Sequence, residues 1–196
     1  KVSSGSSHNS QYNVTMMLQL SRKLSQKGRN VALKVDYGTN SSSNDRKNLS
    51  TTHYFKNDRE DSKNQKIEDD INGYNYRVQL VYVEPLLWMH HLQLRYSYQY
   101  KVNNSDRFVY DWNEDLGEFT PDYDESASNQ FENQYSNHLL NLAVRTSRKK
   151  YNYNVGVDLE PQKSVSHSLL SDPPEEPLKR SVLNFSPTVN FRYKFS

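Results

Sequence analysis

The sequence predicts an all-β protein: an antiparallel meander of about seven long strands, part of a transmembrane β-barrel. Three observations predict it. Seven segments alternate apolar and polar side chains, as a pleated strand requires when successive side chains leave on opposite sides. The connections between these segments alternate short and long. No segment carries the stripe of an amphipathic helix, and none approaches the roughly 20 apolar residues of a membrane helix.

Composition agrees with this class. The chain has 196 residues, the size of one domain. Only 34% of them are hydrophobic and the mean hydropathy is −1.01. Disorder would be the first reading of such a wet chain, but 12% aromatic content, 15 Tyr and a net charge of +2 oppose it. A barrel strand is about ten residues long and needs an apolar side chain only at alternate positions, so low hydropathy fits it. Cysteine is absent, which excludes disulfides and thiolate metal sites. The opening KVSSGSSHNS lacks the apolar centre of a signal peptide.

The segments follow in order. Residues 12–24 group Val14, Met16, Leu18 and Leu20 against Asn13, Thr15, Gln19 and Ser21, with Met17 as an exception. Residues 29–40 group Val31, Leu33, Val35 and Tyr37 against Asn30, Ala32, Lys34 and Asp36. Residues 73–84 group Tyr74, Tyr76, Val78, Leu80 and Tyr82 against Arg77 and Gln79, while Val81 and Val83 blur the polar face. In HLQLRYSYQYKV, residues 91–102, Leu92, Leu94, Tyr96, Tyr98 and Tyr100 oppose Gln93, Arg95, Ser97, Gln99 and Lys101. Residues 137–147 group Leu140, Leu142 and Val144 against Asn141, Ala143 and Arg145. Residues 151–160 group Tyr151, Tyr153, Val155, Val157 and Leu159 against Asn152, Asn154, Gly156 and Asp158. Residues 188–196 group Val189, Phe191, Tyr193 and Phe195 against Asn190, Arg192 and Lys194.

Short turns are expected near 25–28, 85–88 and 147–150, and long polar loops over 41–71, 105–130 and 161–181. Tight turns at one end and long loops at the other are the asymmetry of a bacterial outer-membrane barrel, whose turns are periplasmic and whose loops are extracellular. Trp88 and Tyr151 fall at or beside the short turns, where an interfacial aromatic belt belongs.

The stretches LSRKLSQKGRNVALKVDYGTN, GYNYRVQLVYVEPL, LQLRYSYQYK, FENQYSNHLLNL, KKYNYNVGVDLEPQ and SPTVNFRYKFS, in this order, resemble the C-terminal barrel region of a known family. These are the outer-membrane β-barrel proteins of Bacteroidetes, related to TonB-dependent receptors. The resemblance covers nearly the whole chain and rests on order and spacing rather than on any one motif. It implies an import receptor or related transporter, a barrel of about 22 strands filled by an N-terminal plug and energised by TonB. No TonB box, plug or leader domain is recognisable, and seven strands depart from the even number of single-chain bacterial barrels. Residues 1–196 therefore read as a partial barrel domain, a segment without the plug. The partners this implies are outer-membrane lipid, the remainder of the parent barrel and its plug, the TonB system through the parent, and an unidentified ligand. No cofactor is implied.

No sequence motif points to catalysis, so no enzyme and no catalytic residue is expected. His90 and His91 are adjacent in a strand and point to opposite faces, which prevents chelation as a unit. Asp122, Asp124 and Glu125 lack the glycine and distal Glu of an EF-hand and read as a solvated acidic loop, so no metal site is expected. The mixed charges from Lys56 and Asp58 to Asp70 read the same way. Lys34, Arg77, Arg95, Lys101, Arg145, Arg192 and Lys194 share the non-lipid face with only Asp36 and Asp158. In a closed barrel they form a mostly basic lumen wall. Such a wall pairs with plug carboxylates or guides an anionic ligand, or is polar simply because water fills the lumen. Nucleic acid is not an expected partner, since the pI of about 8.6 is modest and the charges are spread over many strands. Tyr110, Trp112, Phe119 and Tyr123, with Tyr54 and Phe55, lie in the long loops. They either stack on a sugar or peptide ligand or fold the loops onto themselves. Two rival classes remain open at this point: a soluble β-sandwich that binds glycans or peptides, and a surface adhesion protein.

Overall fold

A computed structural model describes residues 2–55, 59–86, 90–170 and 176–195. They form eight strands: β1 (Val2–Lys23), β2 (Asn30–Tyr54), β3 (Arg59–Pro85), β4 (His90–Asn113), β5 (Glu118–Phe119), β6 (Asn129–Ser147), β7 (Tyr151–Ser168) and β8 (Leu178–Tyr193). Seven make one antiparallel sheet in the order β1-β2-β3-β4-β6-β7-β8, and the two-residue β5 pairs only with β4. Each long strand hydrogen-bonds its sequence neighbour, as a meander of hairpins must. Among the described residues no second sheet covers the first, so the sandwich is not formed. The chain exposes 14501 Å². A compact globular chain of this mass exposes about 9,600 Å². The excess is the two open faces of a single layer.

The register keeps the apolar set on one face throughout. Leu20, Leu33, Leu80, Tyr96, Leu140, Leu159 and Phe185 form one continuous row, each the cross-strand partner of the next. On either side of the aliphatic rows lie aromatic rows. Tyr37, Tyr76 and Tyr100 are successive partners, and Tyr74, Tyr98 and His138 extend their cluster, with ring centroids 4.7–6.4 Å apart. Toward the short turns, Tyr153 is paired with Phe191 and Tyr151 with Tyr193, and the Tyr153 hydroxyl lies 2.8 Å from His90 Nδ1. Aromatic girdles bracketing an aliphatic band mark the two interfaces of a bilayer. On β4 the band runs from His90 to Tyr100. That is about 33 Å along the strand at ~3.3 Å per residue, or about 25 Å of thickness at a tilt near 40°, the height of an outer-membrane apolar band.

The short turns form where expected. Leu24 N–H donates to Arg29 O (2.8 Å), and Gly28 takes a φ of 99° that a side chain would resist. Arg148 N–H donates to Tyr151 O (2.8 Å) across the tight turn at 149–150. Beside the first turn, Arg29 holds Glu84 through two hydrogen bonds of 2.6 Å. Residues 87 and 88 of the 85–88 turn, Trp88 among them, Lys56 and Asp58, and part of 161–181 lie outside the described residues.

The long connections differ from expectation. The 41–71 stretch is not a loop: β2 and β3 stay paired from Asn30–Val83 out to Tyr54–Arg59. The strands likewise begin earlier or run further than the apolar pattern marked, β1 from Val2 and β4 to Asn113. Backbone pairing does not require apolar side chains, and residues 41–72 contain neither Gly nor Pro to break it. The hairpin therefore projects roughly 50 Å beyond the outer tyrosines. Pro161 does interrupt pairing. The β6–β7 register skips residues 138–139 opposite it and resumes unchanged at Leu140–Leu159, because proline has no N–H to donate.

Candidate functional site

The face opposite the aliphatic band carries the basic residues picked out in the sequence. Asp36, Arg77, Gln99 and Asn137 form one cross-strand row, and Arg95, Asn141, Asp158 and Ser186 form another. Lys34, Lys101, Arg145 and Arg192 share this parity, and Lys194 continues it past the end of β8. Their immediate environments differ. Lys34 is bridged to Asp36 at 3.0 Å, and Arg77 Nη2 donates to Gln99 Oε1 at 2.7 Å. Asp158 accepts a short hydrogen bond from Asn141. Arg95, Arg145 and Arg192 make no ion pair among the described residues.

Those three arginines belong to one concavity of about 700 Å³ formed by β4, β6, β7 and β8 toward the short-turn end. Its floor is made of small residues, Ala143, Gly156 and Thr188, which are successive cross-strand partners. Gly156 is required there: a Cβ would fall 2.9 Å from both Ala143 Cβ and Leu142 O. The rim carries amides as well as guanidinium groups, including Asn141, Asn154 and Asn190. The structure therefore gathers three of the seven basic residues into one place and leaves Lys34, Arg77, Lys101 and Lys194 outside it. His91 also points to this face, opposite Arg145, while His90 points to the other.

The loop aromatics already have partners within the chain. Trp112 and Phe119 stack edge to face at 5.1 Å where β5 meets β4, and Lys47 Nζ lies 5.6 Å over the Phe119 ring. Tyr123 stacks on Phe108 at 5.1 Å. Tyr110 donates to Glu68 (3.3 Å) and sits 5.6 Å beneath Lys66 Nζ, and burial followed by the Glu68 charge raises its hydroxyl pKa. Trp112 and Tyr123 keep 37% and 36% of their surface exposed, enough to present an edge outward. The acidic stretch is organised by Asp124, whose carboxylate accepts from the Ser126 hydroxyl (2.7 Å) and the Ser126 N–H (2.8 Å). Asp124 N–H in turn donates to Val109 O (2.7 Å), tying the loop to β4.

One feature went unread in the sequence. On the polar face of the projecting hairpin, Asp69 of β3 pairs with Arg46 of β2 and lies 3.9 Å from Arg107 of β4. Next to it, Ile67 and Val109 are 5% and 2% exposed. The available signal was weak alternation, Gln65-Ile67-Asp69-Ile71 on one strand and Phe108-Tyr110-Trp112 against Val109 and Asp111 on another.

The model of a family described as "Outer membrane protein beta-barrel family" matches residues 22–196. No curated protein sequence matches the chain. Among solved structures, BauA, the ferric preacinetobactin receptor from Acinetobacter baumannii, superposes with a TM-score of 0.61 over 97% of this chain at 11% identity. The unliganded ferric citrate transporter FecA superposes with a TM-score of 0.51 over 86% of this chain at 10% identity. The chain spans only 29% and 25% of those two proteins' lengths. At such identities the likeness is one of fold: a sheet of this kind occurs as a sector of a larger barrel.

Proposed function

Because the chain belongs to the outer-membrane β-barrel protein family, and its location is therefore the outer membrane, we propose that it forms a wall sector of a TonB-dependent-receptor-like barrel that takes up a nutrient. The observation that carries this is the open, single-layer sheet with one aliphatic face between aromatic girdles and one polar face, superposable along nearly its whole length on a receptor barrel. The strand edges of β1 and β8 meet the rest of the parent barrel, since an unpaired edge invites a partner strand. The short turns face the periplasm and the projecting hairpins face outward. The polar face lines the lumen, next to a plug in the parent, and the role is transport without catalysis. BauA and FecA, by their names, handle ferric preacinetobactin and ferric citrate, so iron complexes are the first substrates to try.

The test is growth of a strain lacking the gene, and of its complemented parent, on a panel of sole iron and carbon sources, with and without a working TonB system. A defect on one source that complementation repairs only when TonB works supports uptake. No source-specific defect in either background contradicts it.

A further inference from the structure

We infer that the short-turn end of this wall is a docking surface for the headgroups of anionic phospholipids in the periplasmic leaflet, with Lys27, Lys149 and Lys150 meeting the lipid phosphates. This role goes beyond the uptake reading and needs only the placement of the short turns at the periplasmic side of the membrane. Three observations carry it. First, charge is sorted by end. Residues 22–29 and 148–150 carry seven Lys and Arg and no Asp or Glu, whereas residues 103–130, at the long-loop end, carry eight Asp and Glu and one basic residue, Arg107. The whole chain nets only +2, so the basic end reflects placement and not composition. Second, the positive charge lacks a counter-charge of its own. Glu84 is the only carboxylate among the described residues of 22–29, 84–91 and 145–154, and Arg29 already holds it through two hydrogen bonds of 2.6 Å. Lys27, Lys149 and Lys150 are exposed and make no ion pair among the described residues. Third, the lysines stand on fixed turns beside interfacial tyrosines. Gly28 N–H donates to Ser25 O (3.2 Å) in the turn that carries Lys27. Lys194 N–H donates to Lys150 O (2.7 Å), which ties the turn at 149–150 to the end of β8. Tyr151, next in the chain, pairs with Tyr193 on the lipid face.

Position selects the partner. A tyrosine girdle marks the level of the headgroups. A lysine just beyond it extends its ammonium into the phosphate layer while its aliphatic stem lies along apolar surface. The turn that carries Lys27 and the turn that carries Lys149 and Lys150 are four strand spacings apart in the sheet order, about 19 Å along the wall. That spread suits a layer of separate phosphates, several lipids of one leaflet, and not one small ion. A layer of negative charge acts on such ammonium groups over about 8 Å at physiological ionic strength. The rim is reached from the lipid side, away from a plug in the lumen. The turn at 149–150 also has this chain's own strands on both sides, β4 and β6 before it and β7 and β8 after it, so its sideways surroundings are complete.

The test uses the full-length receptor in phosphatidylcholine vesicles that contain a trace of spin-labelled phosphatidylglycerol or of spin-labelled phosphatidylcholine. The motionally restricted fraction of each label measures its association with the barrel. Phosphatidylglycerol is expected to be preferred. The triple variant Lys27→Gln, Lys149→Gln and Lys150→Gln should lower that preference about twofold or more. Raised salt should lower it too, and the charge-keeping triple variant Lys27→Arg, Lys149→Arg and Lys150→Arg should retain it. Folding of each variant is checked by its heat-modifiable migration. Equal association of both labels with the wild type overturns the proposal and leaves the basic rim to an acidic protein partner. An unchanged preference in the glutamine variant also overturns it. So does a preference abolished by inorganic phosphate at constant ionic strength, which would assign the lysines to a free anion. None of these measurements involves growth or TonB, so the uptake reading stands or falls separately.

Discussion

Gly156 on β7 and Ala143 on β6 are direct cross-strand partners, and any side chain at position 156 would bring its Cβ to 2.9 Å from that of Ala143. The contact lies on the polar face, so it limits what the lumen wall tolerates rather than what lipid tolerates. Gly156→Val is expected to destabilise the barrel by about 1–3 kcal/mol, the cost of overpacking a tight contact. Ala143→Gly added to it should recover only part, because Leu142 O remains 2.9 Å away. Denaturant unfolding of the three proteins in lipid vesicles measures both effects, and full recovery would place the strain elsewhere.

The apolar face is expected to reject charge in proportion to depth. Leu94→Arg or Val144→Arg should cost about 2–4 kcal/mol near the bilayer midplane. Gln99→Arg, on the polar face beside Arg77, should be tolerated. Assembly into the outer membrane, followed by the folded and unfolded bands on unheated gels, separates these outcomes.

Acid should release the 120–128 loop. The Ser126 hydroxyl, then the Ser126 and Ala127 N–H groups, hold the Asp124 carboxyl below the usual aspartate range. A depressed carboxylate pKa contributes order that is present above the unfolded value and lost as pH falls through the lower folded one. Amide exchange at Ser126 and Ala127 should therefore accelerate only below about pH 4 relative to the strand amides. Asp124→Asn should remove that pH dependence; if the dependence persists, another group controls the loop.

Protease accessibility should follow pairing as well as sidedness. On intact cells carrying the full receptor, cleavage is expected at 114–117 and at 169–170, and not along 41–54 or 59–71, where both strands are hydrogen-bonded. Cleavage at 149–150 in sealed cells would reverse the orientation.

The face assignment was legible in the sequence because antiparallel pairing preserves parity. Once Leu94 is known to be apolar-facing, its partners Tyr82 and Leu142 must be too, and alternation alone had already grouped them. The strand ends were not legible. Ser41 to Ser50 offer no apolar alternation, yet they pair through backbone groups that every residue carries. The concavity was not legible either, since Arg95, Arg145 and Arg192 are roughly fifty residues apart and only register brings their strands together. The loop aromatics were legible as a group, but their choice of partner was not. Trp112 meets Phe119 only because Gly117, with a φ of 65°, turns the chain back onto β4.

The division of β4 into a lipid face and a water face can be measured residue by residue. These 196 residues contain no cysteine, so single cysteines introduced from 92 through 101 into a full-length receptor from which any cysteine elsewhere has been replaced accept a spin label cleanly. Collision rates with oxygen, which partitions into lipid, and with a water-soluble nickel chelate are then compared along the strand in membranes. Oxygen access should peak at Leu92, Leu94, Tyr96, Tyr98 and Tyr100, with chelate access peaking at Gln93, Arg95, Ser97, Gln99 and Lys101, the two profiles one residue out of phase. Profiles that rise and fall together, or show no two-residue period, would contradict a strand set between lipid and lumen.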